Sequence, residues 1–183
     1  GQALAVLAGL AKPEQYKAIY EVLKKEYHAS PFMEKYVGEA LFVMGYPEFA
    51  LQRTCERFAD MVNYPGCTTL WEGWGIGKAG FGGGSVNHAW SGGTLTLLSQ
   101  YVAGISPIKP GFEVFQVKPQ MGDLTSAQVT VDTRYGMIRA DFQRKGKRIQ
   151  LHLEVPEGTS AIVMEHGKPI CLKSGKHQLN IKQ

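Results

Sequence analysis

The sequence lacks the features that define membrane proteins, disulfide-rich proteins and zinc proteins. Its 183 residues include no apolar run long enough to span a bilayer, and no signal peptide precedes the first helical pattern. The three cysteines, Cys55, Cys67 and Cys171, are widely and irregularly spaced, which fits neither a disulfide framework nor a set of metal ligands. We therefore expect no membrane contact and no metal site, and the sequence leaves the compartment open.

A strong charge of one sign is also missing. The formal net charge is +4, and the basic residues are scattered except for a short cluster at residues 144–148. Because the cluster lies where the strand pattern predicts a hairpin turn, a solvated turn explains it better than phosphate binding does. We therefore expect no nucleic-acid partner. The chain begins at Gly1 and not at a methionine, which favours a processed product or a piece of a longer protein.

The first half of the sequence has the period of amphipathic helices. Apolar residues recur on one helix face over residues 16–27 and again over residues 33–44. Ser30 and Pro31 open the second helix as its N-cap and first helical residue. A third helix is predicted over residues 47–62. Such helices pair in antiparallel fashion either in a bundle or in part of a helical toroid, and the period does not separate the two.

Another helix is predicted at residues 88–105, after the glycine-rich segment. Five of its residues are expected to be buried: Trp90, Leu97, Leu98, Tyr101 and Val102. Six glutamates of the helical half are interpreted as solvated: Glu14, Glu21, Glu26, Glu34, Glu48 and Glu56.

The period changes after Pro107 to the alternation of strands with one apolar face. Residues 149–155 alternate most clearly. Turns are predicted at residues 145–146, 156–158, 165–168 and 174–176. Short strands at this spacing favour an antiparallel β-sandwich. The predicted domains are therefore residues 1–107 and residues 108–183.

A glycine-rich segment separates the third and fourth predicted helices. Residues 75–80 match the dinucleotide pattern G-x-G-x-x-G, but neither a preceding strand nor a helix N-terminus surrounds them. We therefore reject a nucleotide site and expect no cofactor. The glycines instead predict a long loop, and loops of this length in a compact domain are often functional.

The residues before and after this loop are candidates for sugar binding. Glu72 lies between Trp71 and Trp74, and indole rings can stack on pyranose rings while a nearby carboxylate reaches a hydroxyl or a water. The alternative is an ordinary loop acid beside packed tryptophans. His88 follows Asn87, a candidate N-cap, and could bind a hydroxyl or pack in the first helical turn.

Together these segments resemble the C-terminal part of bacterial α-L-rhamnosidases, an inverting glycoside hydrolase family with an (α/α)6 catalytic barrel and a C-terminal β-sandwich. Similar segments in the helical half are Ser30-Pro31-Phe32, Thr68-Thr69-Leu70-Trp71-Glu72 and Asn87-His88-Ala89-Trp90. Residues 108–119, 122–124 and 134–136 resemble the family further on. The resemblance implies a fold with a partial (α/α)6 toroid of paired helices, followed by an antiparallel β-sandwich.

The resemblance also implies roles for the candidate residues. Glu72 would be the general base that activates the attacking water, and His88 would bind the sugar. Trp71, Trp74 and Trp90 would form or support the rhamnose pocket. The ligand would be a rhamnose-containing glycan or glycoside. The family's general acid lies earlier in the barrel, in a segment absent from this sequence, so we expect a chain that is inactive alone.

Other expectations concern the chain's partners. It would need the missing N-terminal half of the same protein, and it would self-associate or depend on neighbours because helix faces of an incomplete barrel are apolar. The resemblance implies a family that includes exported proteins, so an extracellular or periplasmic location is expected, although this sequence carries no address.

Two alternative functions stay open. A different toroid enzyme, such as another glycosidase or a phosphorylase, would be distinguished by a phosphate requirement. A sugar-binding or structural module would leave Glu72 idle, so Glu72→Gln would change nothing.

Overall fold

A computed structural model of the protein describes residues 1–75 and 84–182. The chain divides into two compact units, a helical unit from Gly1 to Leu97 and a sheet unit from Leu98 to Gln183. This division lies earlier in the chain than the domain boundary after residue 107 that the change of period favours, and that boundary stays a prediction. The predicted order, helices followed by a sheet, is confirmed.

The described residues of the helical unit form four helices, one α-helical turn and two 3-10 turns. Its elements are α1 (Gln2–Leu7), α2 (Tyr16–Lys25), α3 (Pro31–Val43), α4 (Pro47–Val62) and the single turn α5 (Leu95–Leu97), with 3-10 turns at Pro13–Gln15 and Ala89–Thr94. The predicted N-cap of α3 is confirmed, because the Ser30 hydroxyl accepts a hydrogen bond from the Met33 amide at 3.4 Å. None of the helices in the described residues is long and apolar enough to cross a membrane.

Residues 88–105 do not form the single helix that was predicted. Ala89–Thr94 is a 3-10 turn, Leu95–Leu97 is one α-helical turn, and Leu98–Val102 is a π-helical turn. The run Ser91-Gly92-Gly93 explains the break, because serine and glycine disfavour a regular helix interior.

The burial predicted for that segment was correct in part. Leu97 and Val102 are buried, whereas Trp90 and Leu98 are each 46% exposed. The predicted burial of Trp90 and Leu98 was wrong because burial there assumed one continuous helix face.

The described residues of the sheet unit form six strands in one curled sheet. They are β1 (Ile105–Pro107), β2 (Val114–Val117), β3 (Ser126–Thr133), β4 (Gly136–Lys145), β5 (Arg148–Glu165) and β6 (Lys168–Lys182). The order is β1-β2-β5-β4-β3, with β4 paired to residues 148–154 of β5 and β2 to residues 160–163. β6 lies off this path and pairs with β5 over both stretches. Most pairs are antiparallel, as predicted, but β2 and β5 run parallel. The alternating apolar residues of these strands form the core of this unit.

The two longest strands replace turns that the sequence predicted. β5 continues through residues 156–158 with an irregular register between Val155 and Ser160, and β6 continues through residues 174–176. Gly175 pairs with Val155 next to this irregularity and has a φ of 129°, a conformation that suits glycine. The turn-forming residues here lie at a bulge between two long paired strands. The sequence of either strand alone does not reveal this pairing.

Candidate functional site

The candidate site lies where the two ends of the glycine-rich segment run side by side. The Glu72 amide donates a hydrogen bond to the Ser85 carbonyl at 2.9 Å, and the His88 amide donates to the Leu70 carbonyl at 2.8 Å. These bonds bring Glu72 and His88 together across 16 positions of the chain, as the sequence suggested. The dinucleotide-like pattern at residues 75–80 lies, after Gly75, outside the described residues.

The Glu72 carboxylate is held at one of its two oxygens. Its Oε2 atom accepts a hydrogen bond from the Ser85 amide at 2.9 Å and lies 3.8 Å from His88 Nδ1. A Cβ atom at Gly84 would stand 2.7 Å from Oε2, so only glycine leaves room for the carboxylate there. Among the described residues, no group donates a hydrogen bond to Oε1, and the side chain is 39% exposed.

His88 is oriented by a hydroxyl group and an indole ring. Its Nδ1 atom lies 2.8 Å from Ser85 Oγ, and its ring centroid lies 4.2 Å from that of Trp90 at an interplanar angle of 49°. Nδ1 is thus engaged by Ser85, whereas no group of the described residues forms a hydrogen bond with Nε2. The expected Asn87 cap was wrong: His88 itself precedes the 3-10 turn, without a side-chain capping bond.

The three tryptophans have different surroundings. Trp71 is only 1% exposed, and its Nε1 donates to Cys67 Sγ at 3.3 Å. Trp74 is half-buried and donates from Nε1 to the Ala29 carbonyl at 2.7 Å. Trp90 is exposed and stacks on Phe32 with a centroid distance of 5.0 Å. Trp71 therefore lies inside the core, whereas Trp90 presents a ring to solvent.

The sequence did not reveal a buried charge cluster formed by Glu34, Arg53 and Arg57. Glu34 and Arg53 are 3% and 2% exposed, so the interpretation of Glu34 as a solvated residue was wrong. Arg53 donates from Nε and Nη2 to the two Glu34 oxygens, each at 2.9 Å, and Arg57 Nε donates to Glu34 Oε1 at 3.2 Å. A signal was present, because Glu34 shares the helix face of Val37 and two arginines follow at a spacing of four in α4.

The pKa values of Arg57 and Cys67 are lowered by different causes. Desolvation lowers the pKa of Arg57 below its ordinary value, an effect that Arg53 strengthens and the Glu34 carboxylate opposes. A hydrogen bond with the Thr69 side chain at 3.2 Å and one donated by the Trp71 indole at 3.3 Å lower the pKa of the Cys67 thiol.

Two cavities lie beside Trp71 and Trp74. One of about 350 Å³ is lined in part by Asn63, Tyr64 and Trp71, and one of about 290 Å³ in part by Arg57 and Trp74. Neither cavity is lined by Glu72 or His88 within the described residues. The same residues contain no group of three or more His, Cys, Asp and Glu side chains that could hold a metal.

Comparison with known proteins relates both units to one family. The model of the bacterial α-L-rhamnosidase C-terminal domain matches residues 104–178. The α-L-rhamnosidase of Formosa agariphila is 32% identical over 102 residues, which are 52% of this chain and 11% of that protein. That of Streptomyces avermitilis is 27% identical over 128 residues, 65% of this chain and 12% of that protein.

A solved structure has the same fold over nearly the whole chain. The α-L-rhamnosidase of Aspergillus terreus superposes with a TM-score of 0.83 at 24% identity, covering 98% of this chain and 23% of that protein. The chain thus spans only a small part of the length of the proteins that it matches. Together, the family model, the sequence relatives and the shared fold show that this chain is similar to the C-terminal part of α-L-rhamnosidases.

Proposed function

We propose that this chain carries the general base of an inverting α-L-rhamnosidase and that Glu72 is that base. The observation that supports this most is the carboxylate geometry. Glu72 is partly exposed, with Oε2 bound to the Ser85 amide and His88 nearby, while Oε1 is open among the described residues. A general base needs such a fixed carboxylate with one oxygen available to the water.

The proposed step conserves atoms and charge. Oε1 of Glu72 removes a proton from a water molecule while the water oxygen bonds to the anomeric carbon of an α-L-rhamnosyl group. The glycosidic C–O bond breaks, and a second carboxyl group protonates the leaving oxygen from the other face of the sugar. In inverting enzymes the two carboxyl groups stand roughly 6.5–9.5 Å apart, which leaves space for the water.

His88 is proposed to bind a sugar hydroxyl through Nε2. Its Nδ1 atom is engaged by Ser85 at 2.8 Å, so the ring has a fixed orientation towards a ligand on the opposite side. Trp90 is the indole best placed to stack on a sugar, because it is 46% exposed and in contact with the His88 ring. Trp71 and Trp74 support the loop that holds Glu72.

The general acid is proposed to come from another part of a longer protein, so the chain alone would be inactive. The matched segments amount to 11% and 12% of the two sequence relatives, which is consistent with most of a catalytic domain lying elsewhere. The helical unit also exposes large apolar side chains: Leu4, Leu10, Val43 and Val62. Apolar surface of this kind favours a covering partner or self-association. We propose that the helices are part of an (α/α)6 toroid.

The test is hydrolysis of an aryl α-L-rhamnoside by the complete protein that contains this chain. We expect Glu72→Gln to reduce kcat by about 10²–10⁴-fold, because the water loses its base. NMR of the first product anomer should show inversion in the wild type. Azide, a nucleophile that needs no base, should restore turnover of Glu72→Gln and form a rhamnosyl azide of inverted configuration.

The matched control is Glu113→Gln in the sheet unit. Glu113 is also partly exposed, at 48%, and also contacts a basic side chain, Lys109 at 3.0 Å. This control should keep the full kcat. A Glu72→Gln protein as active as the wild type would remove the base assignment and favour a binding or structural role for the loop.

A further inference from the structure

The Glu34–Arg53–Arg57 cluster has no part in the proposed chemistry, although it is costly to bury. Burying charges is favourable only when each one is paired and hydrogen-bonded. The Arg53 and Glu34 side chains satisfy this requirement through two parallel bonds of 2.9 Å, and Arg57 adds a third contact to Glu34. The two arginines also donate hydrogen bonds to backbone carbonyls, and these bonds indicate what the cluster does in the fold.

Other donors of the two arginines bind the last turn of α2 and the chain between α2 and α3. Arg53 Nη1 donates to the carbonyls of Leu23 and, at 3.3 Å, Glu26. Arg57 Nη2 donates to the Ala29 carbonyl at 2.7 Å. The cluster therefore fixes the backbone of the α2–α3 connection relative to α4.

Trp74 is bound to this same connection. The Ala29 carbonyl accepts a second hydrogen bond, from Trp74 Nε1, also at 2.7 Å. The Arg57 guanidinium lies 4.0 Å from the centroid of the Trp74 ring, a cation–π contact. Arg57 thus touches Trp74 in two ways, directly through its planar group and indirectly through the carbonyl that both side chains share.

Trp74 is only two residues from Glu72, and the Glu72 amide donates a hydrogen bond to the Ser85 carbonyl. Moving the indole would therefore move the carboxylate. Displacement of a catalytic group by about 1 Å can cost on the order of 10²-fold in rate.

We propose that Arg57 is a positioning residue for the Glu72 carboxylate. Supported by buried Glu34, Arg57 holds Trp74 and the Ala29 carbonyl, and it thereby sets the position of residues 72–74. This inference rests on the proposed function of Glu72. Arginine suits the role because one planar group can donate to Glu34, donate to Ala29 and stack on Trp74 at once, which a lysine ammonium cannot do.

The experiment measures kcat and KM of the complete protein with an aryl α-L-rhamnoside. Arg57→Lys keeps the charge but loses the fork and the stacking. Trp74→Phe keeps a ring and the buried cluster but removes the N–H donor to Ala29, so it serves even if Arg57→Lys fails to fold. Arg148→Lys, at an exposed position of the sheet unit, is the matched control. Each variant is also made in the Glu72→Gln background and assayed with azide.

We expect Arg57→Lys and Trp74→Phe to lower kcat about tenfold or more per folded molecule, with KM changed less than about twofold. In the Glu72→Gln background with azide, both effects should largely disappear, because no base is left to misplace. Arg148→Lys should match the wild type in both backgrounds.

Two results would overturn the inference in distinguishable ways. If Glu72→Gln loses activity while both positioning variants keep the wild-type kcat, the base assignment survives and the positioning role is wrong. The same holds if the two variants lower azide-dependent turnover as strongly as water-dependent turnover. If Glu72→Gln retains full activity, the proposed function and the positioning role fall together.

Discussion

Each unit of the protein contains an arginine–glutamate ion pair, and the two pairs have opposite surroundings. In the helical unit, Arg53 and Glu34 are 2% and 3% exposed and their nearest charged atoms are 2.9 Å apart. In the sheet unit, Arg139 and Glu154 are 53% and 37% exposed and the corresponding distance is 3.2 Å. The distances are similar, so the difference between the pairs is chiefly one of solvent.

The two pairs differ in how strongly their charges can fix the positions of neighbouring residues. Water screens the Arg139–Glu154 pair, and such a pair contributes little to stability. The Arg53–Glu34 pair has lost its water, so its atoms must be satisfied by defined partners, which include backbone carbonyls of the α2–α3 connection. The helical unit therefore uses buried charge to hold loops, whereas the sheet unit depends on its apolar core and backbone geometry.

The largest effect on stability is expected for Arg53→Met, which removes the arginine of the buried pair. This change leaves the Glu34 carboxylate buried with Arg57 as its main partner, so unfolding of the helical unit should become easier by about 3–5 kcal/mol. All three tryptophans lie in this unit, so urea unfolding followed by tryptophan fluorescence measures it. A loss below about 1 kcal/mol would show that the buried pair behaves like a surface pair.

The next effect concerns backbone geometry in the sheet unit. Gly104 has a φ of 69°, and a Cβ there would lie 2.0 Å from the Lys118 carbonyl carbon. Gly104→Ala should therefore destabilise this unit by about 1–2 kcal/mol for the left-handed backbone and about 1–3 kcal/mol more for overpacking. Gly146→Ala is the matched control, since φ is 61° there but nothing lies within 4 Å of the added atom. Equal losses in amide-exchange stability would contradict the steric argument.

A smaller effect is expected for Arg139→Met, the same substitution as Arg53→Met but in the exposed pair. The free energy of unfolding should change by less than about 1 kcal/mol, and high salt should reduce the difference further. Amide hydrogen exchange of β4 and β5 is the measurement. A loss as large as that of Arg53→Met would mean that solvent exposure is not what separates the two pairs.

The smallest effect concerns Cys67 in the helical unit. The hydrogen bond between the Thr69 side chain and the Cys67 sulfur, and the bond that the Trp71 N–H donates to the same sulfur, lower the pKa of Cys67 below its ordinary value. In a Cys55→Ser/Cys171→Ser protein, thiolate absorbance should rise at a lower pH than for a free thiol. Thr69→Val should move the midpoint upward, and an unchanged midpoint would contradict the role of the hydroxyl.

Much of the candidate site could be predicted because its residues are close in sequence or follow a recognisable pattern. Glu72 and His88 were expected at the two ends of one loop. In the structure, Glu72 Oε2 and His88 Nδ1 lie 3.8 Å apart. Their chemical roles stay proposals. The Ser30 cap, the helical first half and the hairpin turns near residues 146 and 166 also depend on local preferences, which the sequence displays directly.

Features that depend on distant partners were not predicted, even where the sequence held a partial signal, as it did for Glu34 on the helix face of Val37. The burial of Glu34 required two arginines from α4, and the continuity of β5 and β6 required each strand to pair with the other along its length. The exposure of Trp90 followed from a helix that broke at Ser91-Gly92-Gly93.

By itself, the sequence determined the order of helices and strands, the apolar faces of those elements and the type of residue at each end of the glycine-rich segment. Tertiary structure alone decided which charge is buried, which tryptophan meets solvent and which oxygen of Glu72 is held by Ser85. The reason is physical: backbone preferences act over a few residues, whereas desolvation and hydrogen-bond partners are set by atoms from segments far apart in the chain.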